Sequence, residues 1–320
     1  MKAVVQHWYG PPDVLGLEDV DRPVPRAGEV LVRVHAASVN PADWHAVRGR
    51  PVLVRLVGYG LRRPTHRTPG TDVAGIVEAV GDGVGALQPG DEVFGWAKGS
   101  YAEFAIAKGD RLALKPRGIT FEQAAAVPTA GVTALQGLRD AGRLAAGQHV
   151  LIIGASGGVG SFAVQIAKAY GAKVAGVCSI HSSELVRSIG ADNVIDYTRE
   201  DVVSSGRLYD LIFQLAGTRS PLALRRILEP TGTLVLCSGD GRLSGLDRIV
   251  LAAVATLLVP QRLVAFMARQ SGPDLLTLKK LIEIGAMRPV LDRTYPLSET
   301  PDAIRYVEAR HARGKVVIDA

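Results

Sequence analysis

The chain has 320 residues, enough for roughly two domains. Hydrophobic residues make up 47% of it and charged residues 21%, proportions that exclude an intrinsically disordered chain. The net charge of +6 is scattered, and its densest cluster lacks a run of about five like charges, so we predict no nucleic-acid partner. That cluster consists of Arg62, Arg63, His66 and Arg67, and a mild positive field suits a phosphorylated cofactor or an anionic membrane surface.

Cysteine content and apolar segments bear on where the protein works. Cys178 and Cys237 are too few for a disulfide framework, and they favour a reducing cytoplasm. The apolar stretch at the N-terminus is too short for a signal peptide. The longest apolar run, Ile249–Val259, spans 11 residues, well short of the roughly 20 that a membrane helix needs. We therefore expect a cytoplasmic protein without a transmembrane segment.

The run Ile249–Val259 has several interpretations. Its composition favours a helix buried against the rest of the fold. The alternatives are a wall of a pocket for a lipophilic substrate, or a patch that meets a second subunit or a membrane surface. Peripheral membrane contact therefore stays open, and we expect a homodimer or a monomer.

The first part of the chain is predicted to be a mostly β domain. Valine-rich, partly alternating segments predict strands over Lys2–Gln6, Glu29–Ala36 and Val73–Val80. Glycine- and proline-rich turns separate them. Pro51–Thr68 is irregular and basic, and we expect it at the surface over a cleft.

From about Thr120 the pattern changes to alternating apolar strands and helices. Such alternation predicts a parallel sheet covered by helices on both faces. The predicted helices are Phe121–Val127, Val132–Ala141, Val159–Tyr170, Ser183–Ile189, Ser220–Leu228, Leu275–Ile284 and Pro301–Ala309. The predicted strands are His149–Ile153, Lys173–Val177, Val194–Ile195, Tyr209–Phe213, Thr233–Cys237 and, at the end of the chain, Lys315–Ile318.

A glycine-rich turn between the first of these strands and the next helix is the strongest local signal. Glycines let the chain turn tightly and approach a pyrophosphate, and the helix N-terminus then offers free N–H groups to the phosphates. A glycine-rich turn without a ligand is the alternative. The candidate cofactor-binding residues of the turn are Gly154, Ala155, Ser156, Gly157, Gly158, Val159 and Gly160.

The segment after the second strand of this sheet indicates which nicotinamide cofactor is used. NAD-dependent enzymes carry an acidic residue there, and this chain has none before Glu184. Ser179 and His181 leave room for a 2′-phosphate, and Tyr197 follows the third strand and is a candidate to flank the same site. The alternative is that Ser179 and Ser182 cap the helix. We predict NADPH as the cofactor, with NADH less favoured.

Several motifs together resemble the medium-chain dehydrogenases/reductases, and more narrowly their zinc-free quinone oxidoreductase branch. The resemblance implies an α/β protein with a GroES-like β-rich catalytic domain over 1–124, completed by 286–320. It also implies a Rossmann domain, a doubly wound parallel sheet, over 125–285, with the active site in the cleft between them. Besides the glycine turn, the motifs are Val34–Asp43, Pro69–Gly81, Pro89–Val93, Ala124–Leu135, Ile195–Tyr197 and Ala312–Ile318.

The resemblance also implies that no metal is bound. Asn40, Thr71 and Thr129 stand where zinc-dependent alcohol dehydrogenases carry their catalytic ligands. Zinc prefers cysteine and histidine, and both cysteines of this chain fall at strand ends of the dinucleotide domain. The four-cysteine structural zinc lobe is missing.

Asn40 is the candidate catalytic residue, because the family links the matching asparagine to polarisation of the acceptor carbonyl. An amide N–H aimed at a developing oxyanion can substitute for a Lewis acid. The alternative is that Asn40 only stabilises the turn before Pro41. Asp43 is interpreted as structural. The candidates for the pocket lining are Trp44, His45, Tyr59 and Tyr101, and no proton donor is assigned, since the family's tyrosine is replaced near Trp44 and His45.

Two further cofactor contacts are expected from the resemblance. The family uses a Lys or Arg in the turn after the second strand for the 2′-phosphate, and this chain has Ile180 and His181 there. Arg313 from the chain end could supply the missing charge. Thr133 completes the set of candidate cofactor-binding residues.

The leading functional hypothesis is hydride transfer from NADPH to a quinone or an α,β-unsaturated carbonyl, without a metal. Reduction of enones or 2-alkenals is an alternative that residues alone do not separate from quinone reduction. A zinc-independent alcohol or carbonyl dehydrogenase is less favoured, because neither a metal nor a strong acid–base pair is evident. A catalytically silent cofactor-binding scaffold is the non-enzyme alternative.

Overall fold

A computed structural model describes residues 1–50, 55, 60–204, 206–237, 260–310 and 312–320. The chain forms two compact units. The β-rich unit comprises Met1–Ala130, Gln270–Glu283 and Pro289–Ala320, and the parallel-sheet unit comprises Gly131–Arg269 and Ile284–Arg288. The apolar run Ile249–Val259 and the pocket candidate Tyr59 lie outside the described residues.

The described helices and strands follow one another along the chain in three groups. The first group is β1 (Lys2–Gln6), β2 (Leu15–Asp19), β3 (Glu29–Val39), α1 (Pro41–Arg48), β4 (Asp72–Val80), β5 (Glu92–Trp96), β6 (Phe104–Lys108), β7 (Leu112–Leu114), α2 (Phe121–Ala125) and α3 (Pro128–Gln136). The second is β8 (His149–Ile153), α4 (Gly158–Ala169), β9 (Lys173–Cys178), α5 (Ser183–Ser188), β10 (Asn193–Asp196), β11 (Tyr209–Gln214), α6 (Pro221–Leu224) and β12 (Leu228–Leu236). The third is β13 (Arg262–Ala265), α7 (Gly272–Glu283), β14 (Leu291–Pro296), α8 (Thr300–Glu308) and β15 (Lys315–Asp319).

The sheet of the β-rich unit joins strands from both ends of the chain. Its order is β14-β15-β3-β4-β5-β7, with β6 paired to β3. The antiparallel register of β3 and β4 sets Ser38 opposite Asp72, and that of β15 and β3 sets Val316 opposite Val39. These registers bring Asp72, the end of β3 and the start of β15 together at one place in the sheet.

Valine and alanine fill the core of the β-rich unit. Alternating residues of β3, namely Val30, Val32 and Val34, are buried against Val73 and Val93 of the neighbouring strands. β-Branched side chains pack well on a pleated surface, which accounts for the valine-rich pattern of these segments.

Helix α7 belongs with the β-rich unit rather than with the parallel sheet. The dinucleotide domain expected from the sequence spans 125–285, whereas residues 270–283 group with the β-rich unit. The helix packs on β7. The backbone N–H of Arg117 donates to Glu283 over 3.1 Å, and the guanidinium of Arg111 donates to the carbonyl of Gln270. These contacts join residues far apart in sequence, which a local pattern does not reveal.

The second unit is built on a parallel sheet with strand order β10-β9-β8-β11-β12-β13. Every neighbouring pair is parallel. The order reverses between β8 and β11, and in such doubly wound sheets ligands bind at the carboxyl ends of the strands next to this point. The predicted α/β fold with a GroES-like unit and a Rossmann sheet is confirmed.

Both faces of this sheet are covered, as the continuous apolar strands predict. Leu151 and Ile212 belong to the hydrophobic cluster on one face. The next residue of β11, Phe213, points to the other face, where its ring lies directly over Gly137. Among the described residues, no helix is long and apolar enough to span a membrane.

Candidate active site

Asp72 is the centre of a buried polar network in the β-rich unit. Its side chain is fully buried at the start of β4. Oδ2 accepts hydrogen bonds of 2.9 Å from the hydroxyl of Ser38 and 2.9 Å from Nδ2 of Asn40. Oδ1 accepts a hydrogen bond of 2.5 Å from the hydroxyl of Thr129. A carboxylate with this many donors is well satisfied despite its burial.

Lys315 approaches the same network from β15. Its Nζ donates to Oδ1 of Asn40 over 2.6 Å and to the carbonyl of Val39 over 3.0 Å. Burial lowers the pKa of Lys315, and the nearby carboxylates of Asp72 and Asp43 oppose that change. Among the residues that the structure describes, Lys315 is the only basic side chain that is buried.

These partners determine how the Asn40 amide is oriented. A carboxylate only accepts, so the group facing Asp72 is the NH₂ end, and the oxygen therefore faces Lys315. The Asn40 side chain bonds to residues of β4 and β15, and Asn40 also forms a capping box with Asp43 at the start of α1, so a local structural role and a role in the site are compatible. An amide nitrogen carries two hydrogens, and Asp72 accepts one of them.

Asp43 holds the start of α1, as expected of a structural residue. Its Oδ2 accepts a hydrogen bond of 2.7 Å from the backbone N–H of Asn40. Burial raises the pKa of Asp43 to about 7, with Asp72 adding to the rise, while the Asn40 N–H, the Tyr101 hydroxyl and Lys315 lower it.

The pocket candidates of the β-rich unit differ from one another in burial and packing. Tyr101 is completely buried and packs in the hydrophobic core. Burial also raises its pKa well above the usual tyrosine value. Trp44 packs against the same core and stacks on His45 with 3.6 Å between ring centres. Tyr101 was a candidate for the pocket lining, and the structure instead makes its ring part of the core.

The residues at the expected metal position do not fit zinc. Oδ1 of Asn40 is held by the Lys315 ammonium. The Thr129 hydroxyl donates to Asp72 and accepts a hydrogen bond of 3.1 Å from the indole of Trp96. Neutral amide and hydroxyl groups are poor zinc ligands in any case, so neither geometry nor chemistry supports the ion. Within the described ranges, no group of three or more His, Cys, Asp or Glu residues could hold a metal.

The glycine-rich turn of the parallel-sheet unit lies between β8 and α4. Gly154 has φ of +90°, a conformation that favours glycine, and an added Cβ would lie 2.9 Å from the Cβ of Ala216. At Gly160 an added Cβ would lie 2.0 Å from the carbonyl oxygen of Gly154. These two glycines allow the tight turn and the close packing of helix on strand.

Neither backbone conformation nor packing within the protein requires a glycine at position 157. It has φ of −78°, and an added Cβ would meet only the carbonyl oxygen of Gly154, at 3.5 Å. It precedes α4, a helix of 12 residues whose N-terminus has no side-chain cap. The first N–H groups of a helix need partners, and a pyrophosphate that approaches over Gly157 would supply them. Gly158, Val159 and Ser156 lie in the same turn.

The candidate residues for the 2′-phosphate lie at the carboxyl ends of β9 and β10. Neither the side chain of Ser179 nor that of Ser182 makes a capping hydrogen bond, so the capping alternative is wrong. Tyr197 is 62% exposed, and its backbone N–H donates to the carbonyl of Cys178 over 3.2 Å. His181 is exposed in the turn after β9, and Ser179 is partly exposed.

Sequence reasoning missed Asp196, a carboxylate at this edge of the sheet. The register of β10 and β9 sets Asp196 beside Cys178, one residue before Ser179. Its Oδ1 accepts hydrogen bonds from the backbone N–H and the hydroxyl of Thr198, over 3.0 and 2.8 Å, and these lower its pKa. Sequence position points only to the residues between β9 and Glu184, whereas parallel strands end side by side, which brings Asp196 of β10 to the same edge.

The remaining cofactor candidates are spread over both units. Thr133 is buried in α3. Arg313 belongs to the β-rich unit, where its backbone N–H donates to Asp292 over 3.0 Å and its side chain is exposed. Their contacts with a cofactor stay predictions.

The fold and the glycine turn define a dinucleotide-binding oxidoreductase of two units. Residues 26–136 match the family model described as alcohol dehydrogenase GroES-like domain, and residues 189–318 match the model described as zinc-binding dehydrogenase. The second description names zinc, whereas Asn40 and Thr129, at the expected metal position, carry neutral side chains that zinc seldom uses.

Relatives and solved structures agree on the family. The mouse protein "NAD(P)H oxidoreductase RTN4IP1, mitochondrial" is 38% identical, over 91% of this chain and 81% of the relative. The "NADPH-dependent alkenal/one oxidoreductase, chloroplastic" of Arabidopsis thaliana is 35% identical, over 99% of this chain and 79% of the relative. A solved quinone oxidoreductase from Coxiella burnetii has a TM-score of 0.88 at 31% identity and covers 100% of this chain and 99% of that one. The chain belongs to the medium-chain dehydrogenase/reductase superfamily, in its quinone oxidoreductase-like branch, and is an oxidoreductase.

Proposed function

We propose that the chain reduces a quinone or an α,β-unsaturated carbonyl with hydride from NADPH, and that it does so without a catalytic metal. The observation that carries the proposal is the network around Asn40. A buried ammonium and a buried carboxylate hold the amide of Asn40 there, the residue that the resemblance matches to a metal ligand of zinc-dependent dehydrogenases.

The residues of the β-rich unit would stabilise the charge that develops on the acceptor oxygen. When hydride reaches the acceptor, its electron pair leaves negative charge on the carbonyl oxygen, and a proton from solvent completes the reduction. The second N–H of Asn40 would donate to that oxygen. A donor that is already oriented needs no rearrangement as the charge forms, and in mutagenesis such donors contribute about a hundredfold or more to rate.

The glycine turn would hold the cofactor, which supplies the hydride when bound. Gly157 leaves the uncapped N-terminus of α4 open to a pyrophosphate. The accessible edge of the sheet carries Ser179, His181 and Tyr197. Position 179 has a neutral serine where NAD-dependent enzymes carry an acid, which suits a 2′-phosphate. The Arabidopsis relative is named as NADPH-dependent, which supports the same cofactor.

Enone and 2-alkenal reduction is kept as the second candidate activity. The names of the relatives include both an alkenal/one oxidoreductase and a quinone oxidoreductase, and they support either acceptor. A zinc-independent alcohol dehydrogenase is less favoured, because the names of the relatives point to quinones and enones as acceptors. Relatives carry mitochondrial and chloroplastic names, so the cytoplasm stays a prediction for this chain.

The test is a turnover screen with purified, tag-free protein. NADPH and NADH are each combined with 1,4-benzoquinone, 2-cyclohexen-1-one and a simple aldehyde, with and without a zinc chelator. We expect turnover of the quinone or the enone with NADPH that the chelator does not change. NADPH binding without turnover of any acceptor would overturn the proposal.

A further inference from the structure

Asn40 and Lys315 form a hydrogen-bonded pair across two strands. Lys315 is 3% exposed and Asn40 is 4% exposed. The ammonium lies 2.6 Å from Oδ1 of Asn40, and the second contact of Nζ, at 3.0 Å, is to the backbone carbonyl of Val39. Burying a charged lysine costs free energy unless the charge interacts with another group. Here the nearest side-chain partner of the ammonium is a neutral amide, which calls for an explanation.

We propose that Lys315 is a positioning residue for the reduction, acting through the amide of Asn40 on the acceptor oxygen. This inference rests on the proposed function. Lys315 fixes Oδ1, and Asp72 fixes one hydrogen of Nδ2, so the second N–H has a single orientation. The ammonium also withdraws electron density from the amide oxygen, which makes that N–H a stronger donor.

Electrostatics supports the same role. Asp72 and Asp43 place carboxyl groups near the site, where an oxyanion would be repelled. Lys315 is the one buried basic side chain in the described part of the chain, so it is the group that offsets this repulsion. A metal ion in the zinc-dependent relatives would supply positive charge at the oxygen directly; in this chain the charge reaches the oxygen through the amide.

A double-mutant cycle tests the proposal. We expect Asn40→Ala to lower kcat for 2-cyclohexen-1-one about a hundredfold, as for loss of an oxyanion donor, and Lys315→Met to lower it at least about tenfold. The double variant should be about as slow as Asn40→Ala alone, because Lys315 acts only through the amide. NADPH affinity, measured by fluorescence titration, should stay unchanged in all three.

A conservative series covers the case in which Lys315→Met does not fold. Lys315→Gln keeps a donor toward Oδ1 without the charge, and Lys315→Arg keeps both. The proposal predicts that Lys315→Arg retains at least about tenfold more kcat than Lys315→Gln. Equal kcat in these two folded variants would overturn it.

The control is Arg48→Met, which removes a partly buried ion pair elsewhere in the same unit. Nη2 of Arg48 donates to Oε2 of Glu308 over 2.9 Å, away from Asn40. Even if Arg48→Met lowers Tm as much as the Lys315 variants do, it should keep the kcat of the wild type. If the wild type is active and the loss of kcat in the double variant equals the product of the two single losses, the positioning role of Lys315 is overturned while the proposed function stands. Absence of any turnover by the wild type would instead overturn the proposed function, and this inference with it.

Discussion

The hydroxyl of Thr129 donates a hydrogen bond of 2.5 Å to Oδ1 of Asp72, although the two residues stand 57 positions apart. Trp96 donates its indole N–H to the same hydroxyl over 3.1 Å. The hydroxyl of Thr129 is therefore engaged both as donor and as acceptor. A metal ion at this position would have to compete with the Lys315 ammonium for Oδ1 of Asn40.

Purified protein should accordingly contain no stoichiometric zinc. Asn40 and Thr129 offer only an amide oxygen and a hydroxyl, the Asp72 carboxylate is taken up by Ser38, Asn40 and Thr129, and zinc prefers thiolate and imidazole. Elemental analysis of tag-free protein should give well under one zinc per chain, and 1,10-phenanthroline should leave turnover unchanged. One zinc per chain that a chelator removes together with activity would contradict this prediction.

Substitution by alanine at two glycines of the cofactor turn should affect different properties, stability at Gly160 and cofactor binding at Gly157. Gly160→Ala places a Cβ 2.0 Å from a backbone oxygen, and should lower stability by about 1–3 kcal/mol through overpacking. Gly157→Ala meets only an ordinary 3.5 Å contact and should leave Tm nearly unchanged. Its methyl group would occupy the approach of the pyrophosphate, so KM for NADPH should rise about tenfold or more.

Thermal melts and steady-state kinetics on both variants check this prediction. Gly118→Ala serves as a control for mutation at a glycine, since an added Cβ there has nothing within 4 Å, although its φ of +80° carries some strain. If Gly157→Ala bound NADPH as tightly as the wild type, the phosphates would not pass over this glycine.

Local patterns predicted the elements of the parallel sheet well. The strand His149–Ile153 has the predicted bounds, and α4 differs from its prediction by one residue at each end. Outside that sheet the patterns did less well: strands β2, β5, β6, β7 and β14 and helix α1 were not predicted, and neither was strand β13 at the edge of the parallel sheet. Helix α1 is short and its apolar face is weak, and β13 follows a segment whose apolar run favoured a helix.

The site was predictable in part. Asn40 and the glycine turn were identified because their motifs are contiguous in the sequence. Lys315 and Asp72 lie inside the quoted motifs but gained no role, because their meeting depends on strand register between opposite ends of the chain. The available signal was a charged residue at the first position of an apolar strand, Asp72 in β4 and Lys315 in β15, since a charged residue that is buried needs a partner.

The carboxyl group of Asp43 should make stability depend on pH. Burial raises its pKa from the usual 3.8 to about 7, and the groups that face it are Asp72, Tyr101 and Lys315. Because the folded pKa lies above the unfolded one, the folded state binds more protons between them. Stability should therefore fall as pH rises from about 4 to about 7, by an amount on the order of 4 kcal/mol.

Asp43→Asn removes this titration while keeping an oxygen that accepts the Asn40 N–H. We expect the Tm of the wild type, relative to that of Asp43→Asn, to decrease between about pH 5 and about pH 7.5. The measurement is a set of thermal melts in buffers of equal ionic strength. Parallel Tm curves for the two proteins would show that Asp43 does not titrate in this range.

The cofactor preference should depend on the charge at Ser179. We expect the wild type to favour NADPH by about tenfold or more in kcat/KM, about 1.4 kcal/mol. Ser179→Asp should reverse the preference, because its carboxylate repels the 2′-phosphate and accepts a hydrogen bond from the ribose 2′-OH of NADH. Asp196 lies at the same edge of the sheet, where Thr198 engages its Oδ1, and it is unchanged in both variants below. Ser179→Asn, nearly the same size but neutral, is the matched control and should keep the preference for NADPH. If the two variants gave the same ratio of NADPH to NADH efficiency, size rather than charge would control this edge of the sheet, and the 2′-phosphate would lie elsewhere.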